Sequence, residues 1–194
     1  MNPLQRPELP SCSQIAGERQ RLRRRKKQRI LKALTGIFLG LTLTAGALYG
    51  SQRFTTLRIT GTSMEPGLED GDLVVFARCG QPAPGRICSF TWENRTLVKR
   101  IIGLPGDWVQ VDPTGRVLIN GRHRPEPHIP EPAPGPTDVE FPCLVPGDSL
   151  FVMGDRRETS VDSRNTAIGP VPLDRVQGLA VFRLWPLEDF GPLA

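Results

Sequence analysis

The sequence predicts a mainly β protein: an antiparallel β domain of many short strands, preceded by one N-terminal transmembrane helix. Three observations carry this. Gly and Pro number 20 each in 194 residues, and aromatics are few, which favours short strands and turns over a helical bundle. Runs rich in β-branched residues recur along residues 51–194, each bounded by turn-forming residues. One stretch of 18 residues, 33–50, carries no charge.

The domains follow in order. Residues 1–32 hold ten Lys or Arg against Glu8 and Glu18, a local charge of +8 within a total of +5. The rest of the chain is therefore at −3, and the high isoelectric point belongs to a short tail. A nucleic-acid surface on the folded part is not expected, because phosphate binding needs a clustered positive face.

Residues 33–50 read ALTGIFLGLTLTAGALYG. As a helix they would span about 27 Å at about 1.5 Å per residue, close to a hydrocarbon core of roughly 30 Å. The cluster RLRRRKKQR sits just before them. Positive charge beside a span stays cytoplasmic, so 1–32 reads as a cytoplasmic tail and 51–194 as an extracytoplasmic domain, with the lipid bilayer as a partner. Two other readings exist. Ala45-Gly46-Ala47 resembles the cleavage site of a removable signal peptide, although the preceding region is long for one. A buried helix of a soluble protein would need a polar face that this stretch lacks.

Beyond residue 50, Thr56–Thr60 and Leu73–Ala77 read as strands, with a turn at Gly71-Asp72. Leu73–Cys79 and Arg86–Trp92 read as a hairpin around Gly80–Gly85. Leu97–Ile102 is an apolar strand interrupted by Lys99 and Arg100. Trp108–Val111 and Arg116–Ile119 form a second hairpin, and Ser149–Met153 and Gly178–Leu184 are further strands. Ser160–Ile168 has room for one helical turn. An insertion at about 123–137 carries Pro at 125, 127, 130, 132, 134 and 136, which no ladder tolerates. It reads as an extended surface loop without a catalytic role.

If the hairpin centres on Ala83-Pro84, Cys79 and Cys88 face each other, and a structural bridge is one reading; Cys143 is then left over. No spacing suits a metal, and the sequence calls for no cofactor. The chain has two histidines, His123 and His128, both at the Pro-rich insertion, a poor place for a positioned base. A Ser–His–Asp triad is not expected.

Lysine usage points elsewhere. Residues 51–194 contain fourteen Arg and a single Lys, Lys99. Arg keeps its proton in a protein, whereas a buried Lys can lose it. Chance placement on a solvated strand face is the bland alternative, and the surrounding motifs weigh against it. Gly61-Thr62-Ser63-Met64-Glu65-Pro66 places a Ser on a kinked segment after a strand. Lys99-Arg100-Ile101-Ile102-Gly103-Leu104-Pro105-Gly106-Asp107, Val152-Met153-Gly154-Asp155-Arg156-Arg157 and Ser160-Val161-Asp162-Ser163-Arg164 follow.

In order and spacing these blocks resemble the boxes of bacterial type I signal peptidases, from about Ile59 to Pro186. The resemblance implies a membrane-anchored Ser–Lys serine endopeptidase that cuts signal peptides from exported preproteins through an acyl-enzyme. It implies Ser63 as nucleophile and Lys99 as general base. Ser160 matches the serine that orients the lysine amine. Asp162 and Arg164 match a structural ion pair near the site, read as scaffold support, and Arg100 matches the basic residue after the lysine. The oxyanion hole would use the Ser63 backbone N–H. Some members add a serine hydroxyl two positions earlier; Gly61 stands there and brings none. Arg156 replaces the asparagine of the usual G-D-N-R, and Gly67 the threonine of P-T-L. Ile59, Thr60, Met64, Leu68 and Val98 are the expected walls of shallow substrate pockets, with Met64 read equally as core.

Three rivals remain. A self-cleaving Ser–Lys repressor would carry a DNA-binding module where the uncharged span lies. A dedicated peptidase would mature one exported protein, such as a pilin. A decayed, partner-binding module would have little reason to keep both Ser63 and Lys99.

Overall fold

The computed structural model describes residues 27, 28, 32, 34–42, 46, 53–78 and 80–193, in two units, 1–50 and 51–194. In the first unit, residues 34–42 are helical, with Leu34, Ile37, Phe38, Leu39 and Leu41 exposed. Among the described residues no helix is long and apolar enough to cross a membrane. Most of the basic tail and much of the expected span over 33–50 lie outside them.

The second unit is mainly antiparallel β. Its strands are β1 (Phe54–Arg58), β2 (Leu73–Ala77), β3 (Ile87–Trp92), β4 (Arg95–Gly103), β5 (Trp108–Val111), β6 (Val117–Ile119), β7 (Arg122–His123), β8 (Cys143–Leu144), β9 (Ser149–Met153), β10 (Val171–Pro172), β11 (Val176–Trp185) and β12 (Gly191–Pro192). The larger sheet runs β1-β2-β11-β3-β4-β9-β10, with β12 on β11; the smaller runs β7-β6-β5-β8.

Side-chain alternation explains the local choices. β2 reads LVVFA, with Val74 and Phe76 buried between half-buried neighbours, the period of a strand with one face on a core. β9 is buried at all five positions, as a strand covered on both faces must be. β4 changes along its length, from exposed Arg95 and Thr96 to five consecutive buried residues ending at Gly103. That glycine lets the sheets meet: a Cβ there would lie 2.6 Å from Val109 Cγ2 of the smaller sheet. Ile102, Phe151 and Met153 then share a core with Val109, Val117 and Val145.

One expectation needs correction. The hairpin between Leu73–Cys79 and Arg86–Trp92 does not form. β11 lies between its two strands, and Leu179 is in register with Ala77 on one side and Cys88 on the other. β2 and β3 therefore sit two strand spacings apart, roughly 9.6 Å at about 4.8 Å each. The facing argument for a Cys79–Cys88 bridge fails with the hairpin. Cys88 is a free, fully buried thiol whose pKa burial pushes up to about 12. Cys79 lies outside the described residues.

Ser160–Ile168 holds one isolated helical turn, closed by a bond from Gly169 back to Asn165 four residues earlier, and no longer helix. The segment is a series of turns, with Asn165 N–H donating to Asp162 O at 2.9 Å and Gly169 N–H to Asn165 O at 2.8 Å. The Asp162 carboxylate, held by Arg164 and Gly154, fixes the backbone before a helix can run. The Trp108–Val111 hairpin forms as expected, pairing Val109 with Ile119. Residues 124–137 form no ladder, and Ile129 within them is buried.

Candidate active site

The loop after β1 presents Ser63. Its backbone is tied down throughout. Ile59 N–H donates to Asp72 O at 2.8 Å and Gly71 N–H to Ile59 O at 2.9 Å, closing the loop at its base. Gly71 has φ +95°, a conformation that favours glycine. Gly61 N–H donates to Asp70 Oδ1 at 2.7 Å. Met64 and Leu68 turn inward as core, joined by Leu68 N–H to Met64 O at 2.8 Å. Ser63 O accepts from Arg156 N–H at 3.1 Å, while among the described residues no acceptor takes the Ser63 N–H.

Lys99 reaches this loop from β4. Its Nζ lies 2.7 Å from Ser63 Oγ, and the residue is 3% exposed. Burial pushes the amine pKa down from 10.5 to about 8. Asp162 opposes that shift, Arg164 adds to it, and Asp155 opposes it more weakly. About a tenth of the amine is therefore neutral at pH 7, against well under a thousandth for an unshifted lysine, and the neutral form dominates above about pH 8.

A layer of ion pairs lies beneath. Arg100 follows Lys99 and so points to the other face of β4. Its Nε donates to Asp155 Oδ1 at 2.8 Å and its Nη1 to Gly85 O at 2.7 Å. Arg164 Nε donates to Asp162 Oδ1 at 2.9 Å and Nη2 to Asp162 Oδ2 at 2.8 Å. Burial raises the Asp162 carboxyl, but these bonds, the Arg164 charge and the Gly154 N–H hold it below the ordinary carboxylate range.

Gly154 joins the layers. Its N–H donates to Asp162 Oδ2 at 2.9 Å. A Cβ at this position would lie 2.1 Å from Ser160 Oγ and 2.5 Å from Ser63 O, so only glycine fits unchanged.

Ser160 stands differently from expectation. Its buried hydroxyl makes no bond to the Lys99 amine; it lies by the Asp162 carboxylate, which it helps to hold ionised, without a well-formed hydrogen bond. It also packs against Gly154. The amine is held by Ser63 Oγ and by the fields of Asp162 and Asp155.

A cleft of about 440 Å³ opens at the dyad. Ile59, Thr60, Met64 and Val98 line it, with Leu57 and Leu97. Leu68 does not; it is wholly buried in the core below. Arg58 and Arg95 also line the cleft, and no acidic residue does. Among the described residues no cluster of His, Cys, Asp or Glu could hold a metal.

Sequence reasoning missed Asp155, Arg157 and Gly154 as parts of this arrangement, although all three sit in a quoted block. It also missed Glu126 of the Pro-rich insertion, whose carboxylate pairs with Arg157. Nothing local marks that glutamate.

Comparison with known proteins agrees with the geometry. The family model described as signal peptidase, peptidase S26, matches residues 30–185. A signal peptidase I from Bacillus amyloliquefaciens is 32% identical over 175 residues, covering 84% of this chain and 92% of that protein. A signal peptidase I from Leptolyngbya laminosa is 45% identical over 124 residues, covering 63% of this chain and 56% of its own length. The crystal structure of a signal peptidase I from Enterococcus faecalis V583 covers 52% of this chain and 97% of its own, at 26% identity and a TM-score of 0.43. On the family match across most of its length, with a Ser and a buried Lys meeting at the matched motifs, the chain belongs to the signal peptidase family, peptidase S26.

Proposed function

We propose that the chain cleaves signal peptides from exported preproteins as a serine endopeptidase, with Ser63 as nucleophile and Lys99 as general base. One observation carries the assignment: a buried amine 2.7 Å from a serine hydroxyl at the end of an open cleft. Neutral Lys99 takes the Ser63 Oγ proton as the oxygen attacks the scissile carbonyl. The Ser63 N–H stabilises the oxyanion. The Lys99 ammonium then gives its proton to the departing amine, leaving an ester on Ser63. Neutral Lys99 next takes a proton from water, whose oxygen attacks the ester. The same proton finally returns to Ser63 Oγ, releasing the acid product.

The small walls of the cleft, Ile59, Thr60, Met64 and Val98, suit small side chains at the −1 and −3 positions of an extended substrate. Asp162 and Arg164 hold the turn beneath the dyad, and Arg100 holds Asp155. Residues 33–50 would anchor the chain in the cell membrane, with 1–32 in the cytoplasm and 51–194 outside, since the span is uncharged and follows a basic cluster. Incubation of the purified full chain with a preprotein, beside Ser63→Ala, tests the chemistry. A cut after an A-x-A site made by the wild type alone is expected. Equal cutting by Ser63→Ala refutes the nucleophile.

A further inference from the structure

Residues 124–137 look like a surface loop, yet they touch the turn beneath the dyad, residues 154–164, at several places. Glu126 accepts a hydrogen bond from Arg157 Nη2, with the two side chains 9% and 2% exposed. His128 Nε2 lies 3.8 Å from Asp155 Oδ1. Pro134 O accepts from Arg164 Nη1 at 2.6 Å.

The first contact leads to the nucleophile. Arg157 Nε donates to Gly154 O at 3.1 Å, and Gly154 packs directly against Ser63 O. Arg156, the residue before, donates its N–H to that same oxygen. Arg157 O in turn accepts from Arg164 Nη2 at 2.9 Å. Among the described residues Glu126 is the sole carboxylate paired with Arg157, whose Nη1 is buried without a partner. Without Glu126, a buried guanidinium would lose its counter-charge and has reason to leave its place. Pro125 and Pro127 flank Glu126 and fix its backbone, so the carboxylate is presented with little freedom left to lose.

We propose that Glu126 is a positioning residue, which sets the Ser63 carbonyl and hence the attack geometry through Arg157 and Gly154. The Pro-rich segment is then a strap under the active site. The inference rests on Ser63 and Lys99 being the dyad.

The test uses the full chain in detergent and a synthetic peptide spanning an A-x-A site, with Ser63→Ala as control. Glu126→Gln should lower kcat by about 10- to 100-fold, the scale of an ångström-sized misplacement, with KM within about twofold. A double variant, Glu126→Leu with Arg157→Met, removes both charges and should recover thermal stability without recovering kcat. The inference falls if Glu126→Gln keeps wild-type kcat, or if the double variant regains both stability and kcat, since the strap is then structural alone. No cleavage by wild type, or cleavage by Ser63→Ala, would sink the dyad reading instead.

Discussion

Lys99 and Arg100 are consecutive, both buried and both cationic by type, yet they meet opposite environments. Lys99 faces the cleft, where the serine hydroxyl is its hydrogen-bond partner and burial lowers its pKa to about 8. Arg100 faces the floor, where Asp155 takes two of its hydrogen bonds and Gly85 O a third. One face removes charge from a side chain that can give it up; the other neutralises a charge that stays. The residue types are therefore not exchangeable between the faces.

Lys99→Arg should break this contrast most severely. A guanidinium cannot act as the base, and kcat should fall by at least about 10³-fold. Circular dichroism would show whether the fold survives, as expected.

The floor is probed by Asp162→Asn. It strands Arg164, which is 1% exposed, and should cost about 3–5 kcal/mol of stability in urea unfolding. Asp162 also raises the Lys99 pKa, so the acid limb of kcat should move to lower pH in that variant.

A smaller effect is expected from pH itself. Below about 8 the rate should fall about tenfold per unit as Lys99 is protonated. The linked stability has a definite sign. Folded Lys99 binds fewer protons than unfolded Lys99 between about 8 and 10.5, so its contribution rises with pH across that window and is flat below it. Lys99→Met should abolish that rise, measured as melting temperature against pH. Smallest of all, dithiothreitol should change neither activity nor melting temperature, because Cys88 is a free thiol.

The two faces were also unequally legible. That Lys99 would reach Ser63 was legible in motif spacing and in the solitary lysine. Strands such as Leu73–Ala77 followed from alternation, which is local. The β2–β3 hairpin misled because β11, about a hundred residues later, outcompetes the near neighbour, and no local pattern records that pairing. Ser160 could be named but not placed, since a hydroxyl's partner depends on the surrounding turn. The strap was hidden for another reason. Its grip comes from one glutamate among prolines and one backbone carbonyl, and a carbonyl has no signature in a sequence.

The position of β11 has a consequence for how the enzyme comes into being. Until residues 176–185 have been synthesised, no ladder among the described residues joins the β1–β2 pair, which bears the serine loop, to the β3–β4 pair, which bears the lysine. A nascent protease is thus kept as two loosely connected halves, and its cutting edge sharpens only near the end of translation. A chain stopped before Val176 should resist a serine-directed acylating label that marks the full-length protein.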